Sequence, residues 1–237
     1  MTDREEIEQL ASGIPATKKV TTRRKSSDGT RKIILDAALE VFSEKGYDGA
    51  RVDEIALRTG LNKNVLYHHF GNKDELFKAV LEHMYQVIRE RQNDLQSRDL
   101  DPVSGMRKLV MFTGRIWVQH PQFLRLLHSE NLLEGRHVKQ SDVIYNMYSP
   151  LTATINDLLT RGQAAGVFRD NIDPVDLYIS ISALTAHYIS NRYTFEGIFK
   201  MSLMSPQRIK HRLEHAADMI LRFLLVDPAG HDGSKGC

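Results

Sequence analysis

Apolar residues recur along the chain at the spacing of one helical face, and this pattern predicts its secondary structure. From Thr30 onward they return every three to four positions, and the first helix ends near Gly46. A short second helix ends at Gly60, and a third begins after Asn62 and runs to about Phe70. Glycine just past a helix end and asparagine just before a helix start are common boundary residues. The pattern therefore predicts three consecutive helices with tight connections.

A fourth helix is predicted to begin beside Asn72, a capping residue, with Glu75 at the reciprocal position of a capping box. It ends in the polar stretch QNDLQSRDLDP. Further helices are predicted at residues 102–119, 121–133, 138–165, 174–194 and 206–226. Neither alternating strands nor hairpin turns stand out in the sequence, so the expected fold class is all-α.

The last predicted helix carries a continuous apolar stripe. Its members are Leu213, Ala216, Ala217, Ile220, Leu221 and Leu224, and Phe223 and Leu225 widen the apolar surface. Such a face is usually ordinary core, but on a terminal helix it can also cover a partner subunit. Both interpretations stay open at this stage.

The composition is typical of a globular protein, with 41% hydrophobic and 26% charged residues among 237. No apolar run approaches the roughly 20 residues needed to cross a bilayer, and the chain opens on the acidic segment MTDREEIEQL. These features favour a cytoplasmic protein without a membrane partner. The single cysteine, Cys237, allows neither a disulfide framework nor a thiolate metal cluster within the chain.

The formal net charge is only +2, but the charge is unevenly distributed. Residues 1–27 have few large apolar residues and lead into a basic stretch, KKVTTRRKSSDGTRK. We expect a disordered N-terminal arm at 1–27 and a flexible tail at 228–237. The arm is either a solvated tail or a segment that follows DNA phosphates or enters the minor groove.

Two short helices joined by a tight, glycine-containing turn and preceded by a longer helix form a helix-turn-helix arrangement. In the third helix Leu66 and Phe70 lie one turn apart and face inward. The outward positions are Lys63, Asn64, Val65, Tyr67 and His68. An asparagine can pair with an adenine edge, a lysine with guanine or phosphate, a valine with a thymine methyl group, and a tyrosine with phosphate. The alternative is that these are solvated residues of a small helical bundle.

Residues 33–81 carry the segment ILDAALEVFSEKGYDGARVDEIALRTGLNKNVLYHHFGNKDELFKAVL, which closely resembles the N-terminal domain of TetR-type transcriptional regulators. The family residues present in this chain are Ala37-Ala38, Phe42, Gly46-Tyr47, Ile55-Ala56, Gly60, Leu66-Tyr67, Phe70, Lys73 and Leu76-Phe77. The resemblance implies that Tyr67 and Lys73 hold phosphates, while the other outward residues of the third helix face the bases or the nearby backbone.

Two positions depart from the family pattern. The family usually has threonine or serine before the second helix, whereas this chain has Ala50-Arg51, which lacks a hydroxyl cap. Arg51 can replace the missing hydroxyl–phosphate interaction electrostatically. Asn64 and Val65 stand where small residues are frequent in the family, so the operator sequence cannot be inferred.

The resemblance also implies a division of the chain into a helix-turn-helix DNA-binding domain at 28–75 and a helical ligand-binding and dimerisation domain at 76–227. The family forms its dimer largely through the last two helices and holds a small-molecule effector after the fourth. Polar and aromatic residues within apolar helices are the effector-site candidates: Trp117, His120, Phe123, His128, Tyr145, Tyr148, His187, Tyr188 and Asn191. A mostly apolar cavity with such groups suits a small aromatic or carboxylated molecule. Each candidate can instead be a core or interface residue.

The expected function is therefore that of a TetR-type regulator, most simply a repressor. As a homodimer it would bind a pseudo-palindromic operator in double-stranded DNA, and an effector of unknown identity would release it. Catalysis and a cofactor are not expected. His211 and His215 have metal-like spacing, but leucine and alanine beside them lie on the apolar stripe. An activator, or a helical interaction module that has lost DNA binding, remains an alternative.

Overall fold

The computed structural model describes residues 27–93 and 100–227. This part of the chain is all-α, as predicted, and Phe168 and Leu225 form one isolated antiparallel bridge. The α-helices are α1 (Ser27–Gly49), α2 (Val52–Thr59), α3 (Lys63–Phe70), α4 (Lys73–Asn93), α5 (Pro102–Gln119), α6 (Pro121–Leu132), α7 (Asp142–Ala164), α8 (Pro174–Ser190), α9 (Arg192–Phe199) and α10 (Pro206–Leu224). A short 3₁₀ turn spans Val138–Gln140.

The predicted caps of α3 and α4 are confirmed. The Asn62 side chain accepts a hydrogen bond of 2.9 Å from the amide of Asn64, and Asn72 accepts one of 2.9 Å from the amide of Glu75. The other hydrogen bond of the predicted capping box, from the backbone amide of Asn72 to the side chain of Glu75, is not formed, so that part of the prediction is wrong. The backbone amide of Asn72 donates instead to the carbonyl of Phe70, and the Glu75 carboxylate pairs with Lys78 at 2.6 Å. Ion pairing one turn along the helix has replaced the second cap.

Three predicted boundaries differ from the structure. Gly46 interrupts α1 near the predicted end of the first helix, but its ψ of −179° at φ 68° is extended rather than left-handed helical, and helical turns resume beyond it. The helix predicted over 138–165 begins only at Asp142, because Ser141 is extended and its hydroxyl accepts from the amide of Ile144. The helix predicted over 174–194 breaks at Asn191, whose side chain donates to the carbonyl of His187. The separate helix α9 was not predicted.

By contacts within the chain, the described residues form two compact units: unit 1 holds 27–87 and 119–145, and unit 2 holds 88–93, 100–118 and 146–227. Unit 1 therefore contains α1 to α3, most of α4, and also α6. Its core includes Ile34, Phe42, Ile55, Leu66, Phe77 and Leu126, all with at most 1% of their surface exposed. The predicted boundary between a DNA-binding domain that ends at residue 75 and a second domain that begins at residue 76 stays a prediction. Unit 1, which is defined by contacts within the chain, extends well beyond residue 75.

Unit 2 is built around the predicted stripe of α10, whose six members are buried. Five of them, all except Leu213, pack with apolar residues of α5, α7 and α8 in one cluster. Of the two residues predicted to widen the stripe, Phe223 is exposed and Leu225 is buried, so only Phe223 extends the apolar surface to the exterior. Gly162 is packed so closely against the ring of Phe168 that a methyl group at this position would overlap the ring.

Some predictions fall outside the described residues. These are the N-terminal arm apart from Ser27, the C-terminal tail at 228–237, and the six residues that follow α4. Within the parts that are described, none of the helices has the length and apolar character needed to cross a membrane.

Candidate nucleic-acid interface

The turn between α2 and α3 is made by Gly60. This residue is left-handed (φ 65°, ψ 19°), and its amide donates to the carbonyls of Ala56 and Leu57 at the end of α2. The amide of Leu61 also donates to Ala56, at 3.2 Å. A side chain is disfavoured in this conformation, so the glycine allows α3 to begin only three residues later, at Lys63.

Helix α3 has an apolar and a polar face. Leu66 and Phe70 are buried in unit 1, as predicted. Of the predicted DNA contacts on α3, Asn64, Tyr67 and His68 are exposed, and Lys63 and Val65 are half-buried. The structure therefore places all five along one accessible side of an eight-residue helix.

Lys63 is engaged within the protein. Its ammonium lies 2.9 Å from the carboxylate of Asp53 on α2 and 5.8 Å from the centre of the Tyr67 ring. The hydrogen bond to Asp53 raises the pKa of Lys63. DNA would have to compete with Asp53 for this lysine.

Arg51 precedes α2 and is exposed. Its side chain makes no capping hydrogen bond, which confirms the expected loss of a hydroxyl cap. Its backbone carbonyl accepts from the amides of Glu54 and Ile55 at 3.1 and 3.3 Å. The Arg51 side chain therefore takes no part in capping α2.

Arg58 connects α2 to α1 and was missed by the sequence analysis. Its guanidinium contacts carboxylates of Glu44 at 2.6 Å and of Glu40 and Glu54 at 3.2 Å. The hydrogen bond to Glu44 is the largest cause of the raised pKa of Arg58. Lys45 also pairs with Glu54 at 2.6 Å. Several charges in one network fix α2 against α1 better than an isolated surface pair would.

Lys73, the predicted phosphate ligand at the start of α4, lies above an aromatic ring. Its ammonium is 4.5 Å from the centre of the Tyr47 ring, within cation–π range. Desolvation lowers the pKa of Lys73, and the carboxylates of Asp48 and Asp74 act in the opposite direction. The lysine is thus held in place and partly dehydrated.

Asp74, the next residue, is fixed by three donors. Its Oδ1 accepts from the Tyr47 hydroxyl at 2.8 Å and from Arg136 at 2.7 Å, and it lies 3.1 Å from Nε2 of His137. The bond from Tyr47 is the largest cause of the lowered pKa of Asp74. Burial, followed by the same bond, raises the pKa of Tyr47 to about 12.

Comparison with known proteins matches two family descriptions. Residues 34–80 match the bacterial regulatory proteins of the tetR family, and residues 102–220 match the tetracyclin repressor-like C-terminal domain. The HTH-type transcriptional repressor NicS of Pseudomonas putida is 34% identical over 88% of this chain and 98% of its own length. The chain belongs to the TetR family.

Other TetR-family relatives agree with this assignment. The regulator RutR of Escherichia coli K12 is 24% identical over 87% of this chain and 95% of its own. The structure of the ketosteroid regulator KstR2 of Mycobacterium tuberculosis matches with a TM-score of 0.62 at 18% identity, covering 88% of this chain and 100% of that one. The fold and the two-part organisation of the family are therefore present here.

Membership of the TetR family establishes the general function. The protein is a DNA-binding transcriptional regulator that acts as a dimer on operator DNA and responds to a small-molecule effector.

The predicted effector residues of this TetR-family chain are distributed over both units. Four lie in unit 1: His120, Phe123, His128 and Tyr145. Trp117, Tyr148, His187, Tyr188 and Asn191 lie in unit 2. The effector site as a set stays a prediction.

Individual effector candidates have other contacts. Phe123 is buried against the edge of the Tyr85 ring, 5.0 Å between centres. Tyr145 is 80% exposed, and such a ring does not line a closed cavity. Tyr188 donates its hydroxyl hydrogen to the carbonyl of Leu203 at 2.7 Å. These contacts are of the structural kind that the sequence analysis kept as the alternative.

The histidine pair considered as a metal site lies on α10. The rings of His211 and His215 are nearly parallel, 6.5 Å apart, and both are exposed. In the described ranges, no three histidine, cysteine or acidic side chains converge in a way that could hold a metal ion.

A buried polar pair in unit 1 was not predicted from the sequence. The side chains of Glu130 and His137 are 3% and 2% exposed, and Nδ1 of the imidazole lies 2.7 Å from the carboxylate. Neither residue stands in a recognisable motif, and their partners on α1 and α4 are distant in sequence. Only the tertiary fold brings this pair to its partners on α1 and α4.

Proposed function

We propose that α3 is the recognition helix and reads the major groove. Asn64 would pair with an adenine edge, Lys63 with guanine or phosphate, and Val65 with a thymine methyl group. His68 would face a base or the nearby backbone. The observation that carries the proposal is the exposed side of α3 behind a left-handed glycine turn, which leaves these groups accessible.

Tyr67, Lys73 and Arg51 would hold phosphates on either side of the recognition helix. A tyrosine hydroxyl can donate to a phosphate oxygen, and the two cations supply charge. Phosphate contacts fix register and orientation without reading sequence. This division of roles separates residues that determine specificity from residues that determine affinity.

The dimer would bind a pseudo-palindrome through its two copies of α3. Half-sites about one helical turn apart place recognition helices roughly 34 to 36 Å apart, or slightly farther. We assign the dimer contact to α8 and α10, the structural counterparts of the last two helices predicted from sequence. Exposed apolar side chains on both helices support this assignment.

The regulator would act as a cytoplasmic, non-enzymatic repressor that an effector releases from DNA. The name of NicS, a transcriptional repressor, supports the sign of regulation. An effector need only prefer the spacing that does not fit DNA: a coupling of about 1 to 3 kcal/mol lowers affinity roughly 5- to 150-fold. A thermal-shift screen of small aromatic and carboxylated compounds, followed by operator release, would identify it.

The interface is tested with DNA that the wild-type protein selects from a random-sequence duplex pool. Tyr67→Ala should weaken binding to all duplexes alike, whereas Asn64→Ala should change which base is preferred. Arg115→Ala, which removes an exposed charge from unit 2, is the control and should bind as wild type does. Selection of no duplex at any salt concentration would favour the interaction-module alternative.

A further inference from the structure

A chain of polar side chains in unit 1 starts at a buried carboxylate and ends at the predicted phosphate-binding lysine. We call it the Asp74 network; its members are Tyr47, Asp74, Glu130, Arg136 and His137. Tyr47 and Asp74 belong to the segment that matches the DNA-binding family description, and the other three belong to the segment that matches the C-terminal description. The network therefore joins the two parts of the sequence within one compact unit.

Glu130 orients His137. Its Oε1 accepts from the backbone amides of His137 and Val138 at 2.6 and 2.9 Å, and its Oε2 lies 2.7 Å from Nδ1 of the ring. The other ring nitrogen lies 3.1 Å from Asp74. Both ring nitrogens of His137 therefore have a carboxylate partner within unit 1.

Asp74 is engaged by Arg136 and His137 and makes no ion pair with Lys73. A carboxylate at the start of α4 would otherwise be free to pair with the neighbouring ammonium and to repel a phosphate approaching the same helix end. Its donors instead turn Oδ1 toward Arg136 and His137. The Lys73 ammonium is left over the Tyr47 ring.

The Tyr47 ring is fixed at both ends. Its backbone amide donates to the hydroxyl oxygen of Ser129 at 2.8 Å, and its own hydroxyl donates to Asp74. Phe77 packs against one edge of the ring, 5.2 Å between centres. The surface on which Lys73 rests therefore depends on contacts made by α6 and on the position of Asp74.

From this geometry we propose that His137, oriented by Glu130, is a positioning residue for DNA binding. It acts through Asp74 and Tyr47 to hold Lys73 where a phosphate can be bound. His137 itself is buried and touches no DNA. The proposal rests on the proposed function in one respect, namely that Lys73 binds a phosphate.

A double-mutant cycle tests this role. His137→Gln, Lys73→Ala and the double variant are titrated against the duplex that the wild-type protein selects. We expect His137→Gln to weaken binding about five- to tenfold in the wild-type background and to cost almost nothing when Lys73 is already alanine. For His137→Gln, the slope of the logarithm of the binding constant against the logarithm of the salt concentration should fall in magnitude by about 0.9 for each phosphate that is no longer neutralised. The same change is expected for Lys73→Ala.

Glu82→Gln is the matched control. Like Asp74, Glu82 is a carboxylate on α4 that bonds to a residue beyond α6: it accepts a hydrogen bond of 2.6 Å from the hydroxyl of Ser141. Unlike Asp74, it takes no part in the Asp74 network. This variant should bind DNA as wild type does in both backgrounds. All titrations are run below the melting temperature of the least stable variant.

Tyr47→Phe keeps the proposal testable if His137→Gln does not fold. It removes only the hydroxyl group. Its loss of DNA affinity should be smaller than that of His137→Gln and should likewise disappear when Lys73 is already alanine. Equal losses with and without Lys73, or no loss at all, would overturn the positioning role while leaving the DNA interface intact. Wild-type affinity in Lys73→Ala would overturn both the phosphate contact and this inference.

Discussion

Single side chains on the side of unit 1 that we propose to face DNA are already paired within the free protein. Lys63 is bonded to Asp53, and Lys73 rests on Tyr47. Such contacts restrict long, flexible cations before DNA arrives, so less conformational entropy is lost on binding. The pair with Asp53 has a second effect, because DNA must displace a carboxylate to use the lysine.

Asp53→Asn should therefore strengthen DNA binding roughly twofold, because exposed ion pairs are individually weak. Fluorescence anisotropy at several salt concentrations would measure the gain. Asp36→Asn removes the same charge from an exposed site on α1 and is the control. Equal gains in the two variants would show a general charge effect and contradict a specific competition for Lys63.

Asp74 makes the folded protein sensitive to acid. Its pKa in the folded state is lowered, chiefly by the hydrogen bond from Tyr47, so its stabilising effect is present above the unfolded value of about 3.9 and is lost as the pH falls through the folded value. Asp74→Asn should be less stable than wild type near neutral pH. Urea unfolding between neutral pH and pH 3 should show this difference shrinking as the pH falls; a constant difference would contradict the linkage.

At the scale of elements, the turn that follows α7 depends on a close contact between Gly162 and the ring of Phe168. Gly162 lies near the end of α7, and its carbonyl accepts from the amides of Val167 and Phe168 as the chain turns back. The Phe168 ring is 2% exposed and packs directly over the glycine. The turn after α7 and the core of unit 2 therefore depend on the same small residue.

Gly162→Ala should destabilise the protein, because the new methyl group overlaps a ring that cannot move freely in the core. Overpacking costs about 1–3 kcal/mol, and the higher helix propensity of alanine offsets up to about 1 kcal/mol of it. Gly197→Ala is the control, since no atom lies within 4 Å of its added methyl group. Thermal unfolding should show a lower midpoint for the first variant and an equal or higher one for the second.

At the scale of the whole molecule, the regulator requires a second copy, and unit 2 offers exposed apolar side chains on two helices. Ile179 on α8 is 56% exposed, and Met219 on α10 is 45% exposed. Phe223, farther along α10, lies under the guanidinium of Arg169 at 3.9 Å. Large exposed apolar groups on neighbouring packed helices are typical of subunit contacts.

Ile179→Glu and Met219→Glu should each shift the dimer toward monomer, because each places a charge in an apolar contact. Sedimentation velocity over a range of concentrations would measure the shift, and operator affinity should fall in parallel. Leu132→Glu, at an 87% exposed position in unit 1, is the control. A dimer of unchanged strength in both variants would place the subunit contact elsewhere.

The sequence by itself determined the all-α class, the positions of α1 to α4 and the outward residues of α3. These features depend on local spacing, on Asn62 and Asn72 as caps, and on Gly60 at the turn, all of which act over a few residues. The buried stripe of α10 was also readable, since helical period alone selects it.

Tertiary structure decided the rest. It placed α6 in unit 1, divided the effector candidates between two units, and brought Glu130 and His137 to Asp74 across more than fifty residues of sequence. No local pattern encodes such contacts, because a buried polar group is satisfied by whichever partner the fold brings within hydrogen-bonding distance. The helix proposed for recognition was therefore predictable from its sequence, and the network beside Lys73 was not.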